Sequence, residues 1–193
     1  MQPRRRGRPG HDQDAVLAAA VRLFNAHGYD ATSMFDIAES LGITKSTLYH
    51  HVSSKEQLLG MAVDRALDGL FAAANDISGN NATQRLETLI RASVLVLAER
   101  LEFVTLLLRV HGNSEVEQHA LTRRREFDRI VTDLVKQAQK EGGVRDDVDP
   151  ATAARLIFGM VNSLIEWYRP DRGNPETIAD TVTALSFHGL KTA

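Results

Sequence analysis

The stretch SMFDIAESLGITKSTLYHHV, residues 33–52, decides the fold of the amino-terminal part of this sequence. Ala38 is small where two helices have to cross closely, and Gly42, four residues later, provides the turn between them. Apolar side chains occupy the positions that such a small unit has to bury, which are Ile37, Leu41, Ile43, Leu48 and Val52. The stretch therefore predicts a helix-turn-helix.

The second helix of this motif presents a polar face without a single acid. The side chains on this face are Thr44, Lys45, Ser46, Thr47, Tyr49 and His50. Such a face suits the major groove of DNA, where donors meet base edges and phosphates, whereas an ordinary solvated helix mixes in carboxylates. The alternatives are a packing element that binds no DNA and, for Tyr49, a ring packed on the first helix with only its hydroxyl exposed.

Helix N-termini near the motif are candidate phosphate sites, because their free N–H groups and the helix dipole favour anions. These sites are at Thr32, Ser33, Thr44 and the turn 53–55. Ser53 and Glu56 in addition predict a capping box for the next helix.

Beyond the motif, apolar residues recur at spacings of three and four almost from end to end, which predicts an all-α protein. We expect helices over about 12–27, 33–41, 44–51, 53–74, 84–100, 102–110, 115–141, 150–169 and 175–190. On the first helix, Val16, Ala20, Leu23, Phe24 and His27 are expected to share the buried face.

Composition narrows the class of protein. The 193 residues are 43 % hydrophobic and 25 % charged, as in soluble globular proteins. Cysteine is absent, which excludes disulfides, thiol catalysis and cysteine-ligated metals. No apolar run reaches the roughly 18 residues that span a bilayer, and no apolar segment follows the first arginines as in a secretory signal. We therefore expect a cytoplasmic protein without a membrane partner.

The first ten residues form a basic arm with four arginines and no acid, although the whole chain has a net charge of −2. Within the arm, Arg6-Gly7-Arg8-Pro9 is typical of a segment that reaches into the minor groove of A·T-rich DNA. Arg6 and Arg8 are the expected contacts. An ordinary solvated terminus is the alternative.

The run AVLAAAVRLFNAHGYDATSMFDIAESLGITKSTLYHHVSSKEQLL resembles the amino-terminal domain of the TetR family of transcriptional repressors. The resemblance extends over about residues 11–71. It implies a homodimer that places two recognition helices in successive major grooves of a palindromic operator in double-stranded DNA. It also implies base and backbone contacts by Lys45, Ser46, Thr47, Tyr49 and His50, and a phosphate contact by Lys55.

The carboxy-terminal part, 72–193, is expected to bind an effector and to form the dimer, after an arm at 1–10 and a DNA-binding domain at 11–71. The last two helices are apolar on more than one side and carry small residues, so we expect them to pack against a second subunit. TetR proteins use such a four-helix interface. A purely intramolecular core is the alternative.

An effector pocket is expected among the middle helices, lined by apolar side chains with a few polar ones. The candidate residues are Phe103, Leu107, Phe158 and Trp167 as apolar lining, and Asn162 and Glu166 as polar groups. The segment 123–170, RRREF to EWYRP, resembles more loosely the TetR branch that senses acyl-coenzyme A thioesters. This implies that Arg123, Arg124 and their neighbours bind the phosphates of coenzyme A, which arginine holds in a bidentate manner. The alternative is an internally paired, solvated face.

Other functions remain open at this point. A cage of Glu166, Trp167 and Tyr168 is typical of a sensor for a hydrophobic drug that controls an efflux pump. His111, Glu115 and His119 have a metal-like spacing, but Gly112 and Asn113 interrupt the helix between them. No catalytic motif accompanies the histidines, so we expect neither an enzyme nor a cofactor.

Overall fold

A computed structural model describes residues 12–189, and these residues form ten α-helices without a strand, which confirms the all-α prediction. The helices are α1 (Gln13–His27), α2 (Met34–Ser40), α3 (Lys45–His51), α4 (Lys55–Asn75), α5 (Ala82–Glu99), α6 (Leu101–Arg109), α7 (Glu115–Lys140), α8 (Pro150–Asn162), α9 (Leu164–Trp167) and α10 (Pro175–His188). The chain divides into two compact units between Ala62 and Val63, within α4.

In the first unit, side-chain caps begin α1, α2 and α3. Asp12, Ser33 and Thr44 each accept a hydrogen bond from a backbone N–H three residues later. The turn between α2 and α3 needs a glycine, because Gly42 has a φ of 64°. The core of this unit contains Val16, Ala20, Phe24, Ile37, Ala38 and Leu48, each at most 2 % exposed. His27 is exposed, so its placement on the buried face of α1 was wrong: it lies in the last turn of α1, beyond the packed side chains.

The start of α4 differs by one residue from the predicted capping box. The N–H of Gln57 donates to Oγ of Ser54, so Ser54 caps the helix that begins at Lys55. Oε1 of Gln57 reaches back and accepts hydrogen bonds from the N–H and Oγ of Ser53. The prediction for Ser53 and Glu56 was wrong because Gln57, one position later, performs the reciprocal bond.

The second unit is built around α5, which packs against α7, α8 and α10. Its buried stripe consists of Leu86, Leu89, Ile90, Val94 and Leu97. On the other side of α7, the ring of Phe127 meets Phe71 of α4 and Phe158 of α8 edge-to-face, with centroid distances of 5.9 and 5.3 Å. These ring contacts join α4, α7 and α8 into one core.

The helix predicted over 150–169 is interrupted at Ser163. Oγ of Ser163 donates to the carbonyl of Met160, and the N–H of Glu166 donates to the carbonyl of Ser163, three residues before it. These short-range bonds tighten the backbone between α8 and α9. After the break, Trp167 is 55 % exposed whereas Tyr168 is buried.

A buried carboxylate closes the loop between α6 and α7. Oε2 of Glu117 accepts hydrogen bonds from the backbone N–H groups of His111, Gly112 and Asn113, at 3.3, 2.7 and 2.7 Å. Glu117 itself is only 8 % exposed. One side chain thus satisfies three donors that the loop would otherwise leave without a partner.

We expect Glu117→Ala to lower the free energy of unfolding by about 2–4 kcal/mol, because three partly buried N–H groups lose their acceptor. Urea denaturation of the purified variant measures the effect. Glu115→Ala is the matched control, since Glu115 lies in the same first turn of α7 but is exposed. Equal losses for the two variants would mean that only the charge near the helix N-terminus matters.

Candidate DNA-binding and effector-binding sites

The exposed side of α3 is polar and continuous. Leu48 is completely buried and anchors the helix, whereas the predicted contact residues face solvent: Thr44, Lys45, Ser46, Thr47, Tyr49 and His50. Tyr49 is 46 % exposed and stands beside Lys45, whose Nζ lies 5.8 Å from the ring centroid. The alternative of a tyrosine packed with only its hydroxyl exposed is therefore wrong.

Two residues at the start of α2 differ from each other in exposure. Ser33 is exposed, and its N–H and Oγ both donate to Oδ2 of Asp36. The backbone N–H and hydroxyl of Ser33 lower the pKa of Asp36, so a negative charge already lies at this helix N-terminus. Thr32 is buried, with its hydroxyl donating to the carbonyl of Gly28 at 2.8 Å. The side chain of Thr32 therefore cannot hold a phosphate, and that part of the prediction was wrong.

The ammonium group of Lys55 binds backbone carbonyls of the protein itself. Its Nζ donates to the carbonyls of Tyr29 and Thr32 at 2.8 and 2.9 Å, and more weakly to that of Asp30 at 3.4 Å. It also lies 4.3 Å from the centroid of the Tyr29 ring. These bonds tie the start of α4 to the turn after α1. Because an ammonium has three N–H groups, this geometry leaves none for the phosphate contact that the resemblance implied. The predicted arm contacts Arg6 and Arg8 lie outside the described residues.

The second unit contains a small apolar cavity of about 50 Å³, here called the inner chamber. Its apolar lining comes from α4, α5, α6, α7 and α8: Leu67, Leu70, Leu97, Val104, Leu107, Leu108, Phe127, Phe158 and Val161. Four polar residues also line it, which are Ser93, Arg124, Asp128 and Asn162. The chamber thus has the apolar wall and few polar groups that are typical of ligand sites.

A larger basic cleft of about 530 Å³ lies between α7 and α8. Four arginines line it, Arg124, Arg125 and Arg129 from α7 and Arg155 from α8. The cleft and the inner chamber share Arg124, Asp128, Phe158 and Asn162 as lining residues. A ligand in the cleft therefore borders directly on the chamber.

Arg124 is the charged residue at the junction of cleft and chamber. Burial lowers the pKa of its guanidinium, against the attraction of Asp128. Burial likewise raises the pKa of the Asp128 carboxyl, although Arg124 and Arg155 oppose this. The hydrogen bond from Nη1 of Arg124 to the carbonyl of Leu107 is long, at 3.5 Å. Arg124 is thus a half-buried cation with donors available to an anionic or strongly polar group.

Arg123 lines neither the cleft nor the inner chamber, and its contact with an effector stays a prediction. Its guanidinium donates to Oδ1 of Asp64 and Oδ1 of Asp68 on α4, each at 2.7 Å, and lies 5.2 Å from the centroid of the Phe71 ring. A helix turns by about 100° per residue, so adjacent arginines on α7 face different neighbours. Arg123 joins α7 to α4 instead.

Three further predicted effector residues lie outside both cavities as far as the structure describes the chain. The ring of Phe103 contacts the guanidinium of Arg65, whose Cζ is 5.3 Å from the ring centroid. Glu166 and Trp167 are exposed on α9. Tyr168 is buried, so these residues do not form the acidic aromatic cage of a drug sensor. Leu107, Arg124, Phe158 and Asn162 do line the chamber, and their contact with an effector stays a prediction.

An apolar face remains exposed on α8 and α9. Leu156 is 66 % exposed, and a side chain at Gly159 would meet nothing within 4 Å. A groove of about 620 Å³ borders this face and is lined by Leu156, Met160, Leu185 and Phe187, among others. Large apolar patches of this kind mark interaction surfaces.

Over residues 12–189, no helix is long and apolar enough to cross a membrane. Over the same range, no three histidine, aspartate or glutamate side chains are grouped so that they could hold a metal ion, and the series His111, Glu115 and His119 forms no such group.

Comparison with known proteins identifies both parts of the chain. Residues 16–61 match the model of bacterial regulatory proteins of the tetR family, and residues 79–190 match a tetracyclin repressor-like C-terminal domain. The chain belongs to the TetR family. It is therefore a helix-turn-helix transcriptional repressor by family, and its relatives are regulators rather than enzymes.

Several TetR proteins are similar over nearly the whole chain. The repressor KstR2 of Mycolicibacterium smegmatis is 29 % identical over 98 % of this chain and 96 % of its own length. The structure of SCO3833 from Streptomyces coelicolor A3 is 48 % identical, with a TM-score of 0.87 and coverage of 92 % and 91 %. AibR, solved in complex with isovaleryl coenzyme A and operator DNA, is 30 % identical, with a TM-score of 0.76 and coverage of 91 % and 97 %.

The two lysines of the DNA-binding unit should respond differently to removal of their charge. We expect Lys45→Met to weaken binding to an operator selected in vitro and to reduce the slope of log affinity against log salt by about 1, because an exposed cation loses its phosphate contact. Lys55→Met should weaken binding without changing this slope, and should lower the melting temperature, because Lys55 bonds to carbonyls. Fluorescence anisotropy at several salt concentrations measures both. A slope reduced equally by Lys55→Met would show that Lys55 contacts phosphate after all.

Proposed function

We propose that this protein is a homodimeric repressor that binds a palindromic operator through α3 and is released from it by an acyl-coenzyme A thioester. Residues 11–71 would read the DNA, and residues 72–193 would bind the effector and the second subunit. The observation that supports the effector class is that the apolar inner chamber and the basic cleft are neighbours that share four lining residues. An acyl-CoA has the same two parts, an apolar acyl group and a highly anionic nucleotide.

The cleft supplies the charge that coenzyme A requires. Arg125 and Arg129 of α7 face Arg155 of α8 across the cleft and would bind the phosphates, which guanidinium groups hold through paired hydrogen bonds. Arg124 and Asn162, which border both cavities, would contact the polar thioester end of the acyl group. The similarity to AibR, which was solved with isovaleryl coenzyme A, supports this assignment.

The size of the chamber suggests how the effector acts. A cavity of about 50 Å³ is too small for most acyl groups, so binding has to move the residues that line it. Leu67 and Leu70 are two of these residues, and both belong to α4, the same helix that begins at Lys55 in the DNA-binding unit. Displacement of α4 by an acyl group would therefore act on the helix whose first residue, Lys55, bonds to the turn after α1.

The exposed apolar face of α8 and α9, and the bordering groove that α10 also lines, support the proposed dimer through the last two predicted helices, 150–169 and 175–190. Leu156 and Trp167 are too large and too exposed for an unpartnered helix surface. With the bordering groove, this face would be covered by the same face of a second subunit.

The effector is tested with purified protein, the selected operator and a panel of acyl-CoA thioesters, with free coenzyme A as control. A thioester at 100 times its dissociation constant should stabilise the fold by about 2.7 kcal/mol, which raises the melting temperature by several degrees. The same thioester should release the operator, and free coenzyme A should not. Absence of any shift or release across a panel of short, long and ring-containing acyl groups would refute the proposed effector class.

The cleft arginines are tested separately. Arg125→Gln and Arg155→Gln should each weaken thioester binding by about 10-fold or more, because a charge-assisted bond to phosphate is lost. Arg172→Gln is the control, since Arg172 is exposed and lies outside the cleft. Operator affinity in the absence of thioester should be unchanged in all three variants. Thioester affinities of Arg125→Gln and Arg155→Gln equal to that of the wild type would show that the phosphates do not bind in the cleft.

The dimer face is tested with Leu156→Glu, which should convert a dimer into a monomer in sedimentation analysis and lower operator affinity at least about 100-fold, because a charge is buried in the interface. Thr122→Glu introduces the same charge at an exposed position of α7 and should leave the dimer intact. A dimer that survives Leu156→Glu unchanged would contradict the proposed interface.

A further inference from the structure

Ser93 is an anomaly in the core of the second unit. It lies in the buried stripe of α5 between Ile90 and Val94 and has no solvent exposure. Its hydroxyl oxygen has no hydrogen-bond partner in the structure. An unpaired hydroxyl in an apolar core opposes folding, so alanine would be the more stable choice at this position.

Other helical hydroxyls of the second unit show that a partner is normally within reach. Beyond the first turn of each helix, the other described hydroxyls donate to the carbonyl four residues earlier, and they are Thr88, Thr105, Thr122, Thr132, Thr181, Thr183 and Ser186. Ser93 has the same helical backbone but does not make this bond. Its hydroxyl is therefore available in a way that the others are not.

Ser93 lines the inner chamber, so a ligand in this chamber is the expected partner of its hydroxyl. It is the one residue of α5, apart from Leu97, that lines the inner chamber. The other polar lining residues, Arg124, Asp128 and Asn162, also line the basic cleft, whereas Ser93 does not. Ser93 thus contributes a neutral hydroxyl to the lining of the chamber and not to the lining of the cleft.

We propose that the Ser93 hydroxyl hydrogen-bonds to an oxygen atom on the acyl group of the effector. The protein would then prefer acyl-CoA thioesters whose acyl group carries a hydroxyl or keto group to those whose acyl group carries neither. This inference rests on the proposed function. A hydroxyl both donates and accepts, so it can pair with either type of oxygen. An acyl group without such an oxygen leaves the Ser93 hydroxyl unpaired, so the hydroxyl adds nothing to its affinity.

The expected preference is that of one neutral hydrogen bond, about 3- to 10-fold in affinity. It is measured by calorimetric titration with matched pairs of thioesters: butanoyl-CoA against 3-hydroxybutanoyl-CoA and acetoacetyl-CoA, and cyclohexanecarbonyl-CoA against 4-oxocyclohexanecarbonyl-CoA. The full-length wild-type protein should prefer the oxygenated member of at least one pair. Ser93→Ala should abolish that preference and change the affinity for the member without the added oxygen by less than about 2-fold.

Thr105→Val is the control variant. It also removes a helical hydroxyl, but one that bonds to the carbonyl of Leu101 and lies outside the chamber lining. This variant should keep the wild-type preference. A preference lost equally in both variants would show a general effect of repacking and would overturn the role of Ser93.

Thermal unfolding without ligand provides a readout that does not depend on the effector. Because Ser93→Ala removes an unpaired polar atom from the core, its melting temperature should equal the wild-type value or exceed it by about 1–4 °C. A decrease of more than about 2 °C would show that the hydroxyl stabilises the fold itself, and the inference would then be wrong.

Failure of this inference can be told apart from failure of the proposed function. If thioesters bind and release the operator but Ser93→Ala leaves every preference unchanged, the effector class stands and the role of Ser93 falls. If no thioester binds, the proposed effector class falls and the inference falls with it.

Discussion

The ring of Phe127 makes the contact on which the arrangement of the second unit depends. It meets Phe71 of α4 at one edge and Phe158 of α8 at the other, so it fixes the rotation of α7 about its own axis. With that rotation fixed, Arg123 faces the carboxylates of α4, and Arg124 faces the chamber and the cleft. The adjacent residues Arg123 and Arg124 therefore contact different neighbours because of this aromatic contact.

The amino-terminal unit follows a different principle, because local bonds do most of the positioning. Side-chain caps begin the three short helices, and Gly42 turns the chain between α2 and α3. Lys55 adds one longer connection, from the start of α4 to the turn after α1. Since α4 also carries Leu67 and Leu70 of the chamber wall, one continuous helix contributes to both sites.

Residues whose neighbours the sequence did not predict share a physical cause. Periodicity shows which positions are apolar but not which neighbour they meet, so Trp167 was expected in a pocket although it is exposed. A charge cluster likewise does not reveal its partners: Asp64 and Asp68 are more than fifty residues away from Arg123. Ser93 did leave a signal, a single polar residue within the apolar stripe of α5, but only its missing bond makes it informative.

The sequence by itself determined the all-α class, the helix-turn-helix and nearly all helix ends, because caps, turns and periodicity act over a few residues. The family followed from the resemblance of the amino-terminal run to the TetR family. It also placed the acid-free face of α3 on the surface, since the intervening Leu48 had to be buried. Only the tertiary structure decided that Arg155 of α8 joins the arginines of α7, that Arg123 leaves them, and that Lys55 binds carbonyls. Each of these depends on contacts between segments distant in the chain, and no local pattern encodes the packing that brings them together.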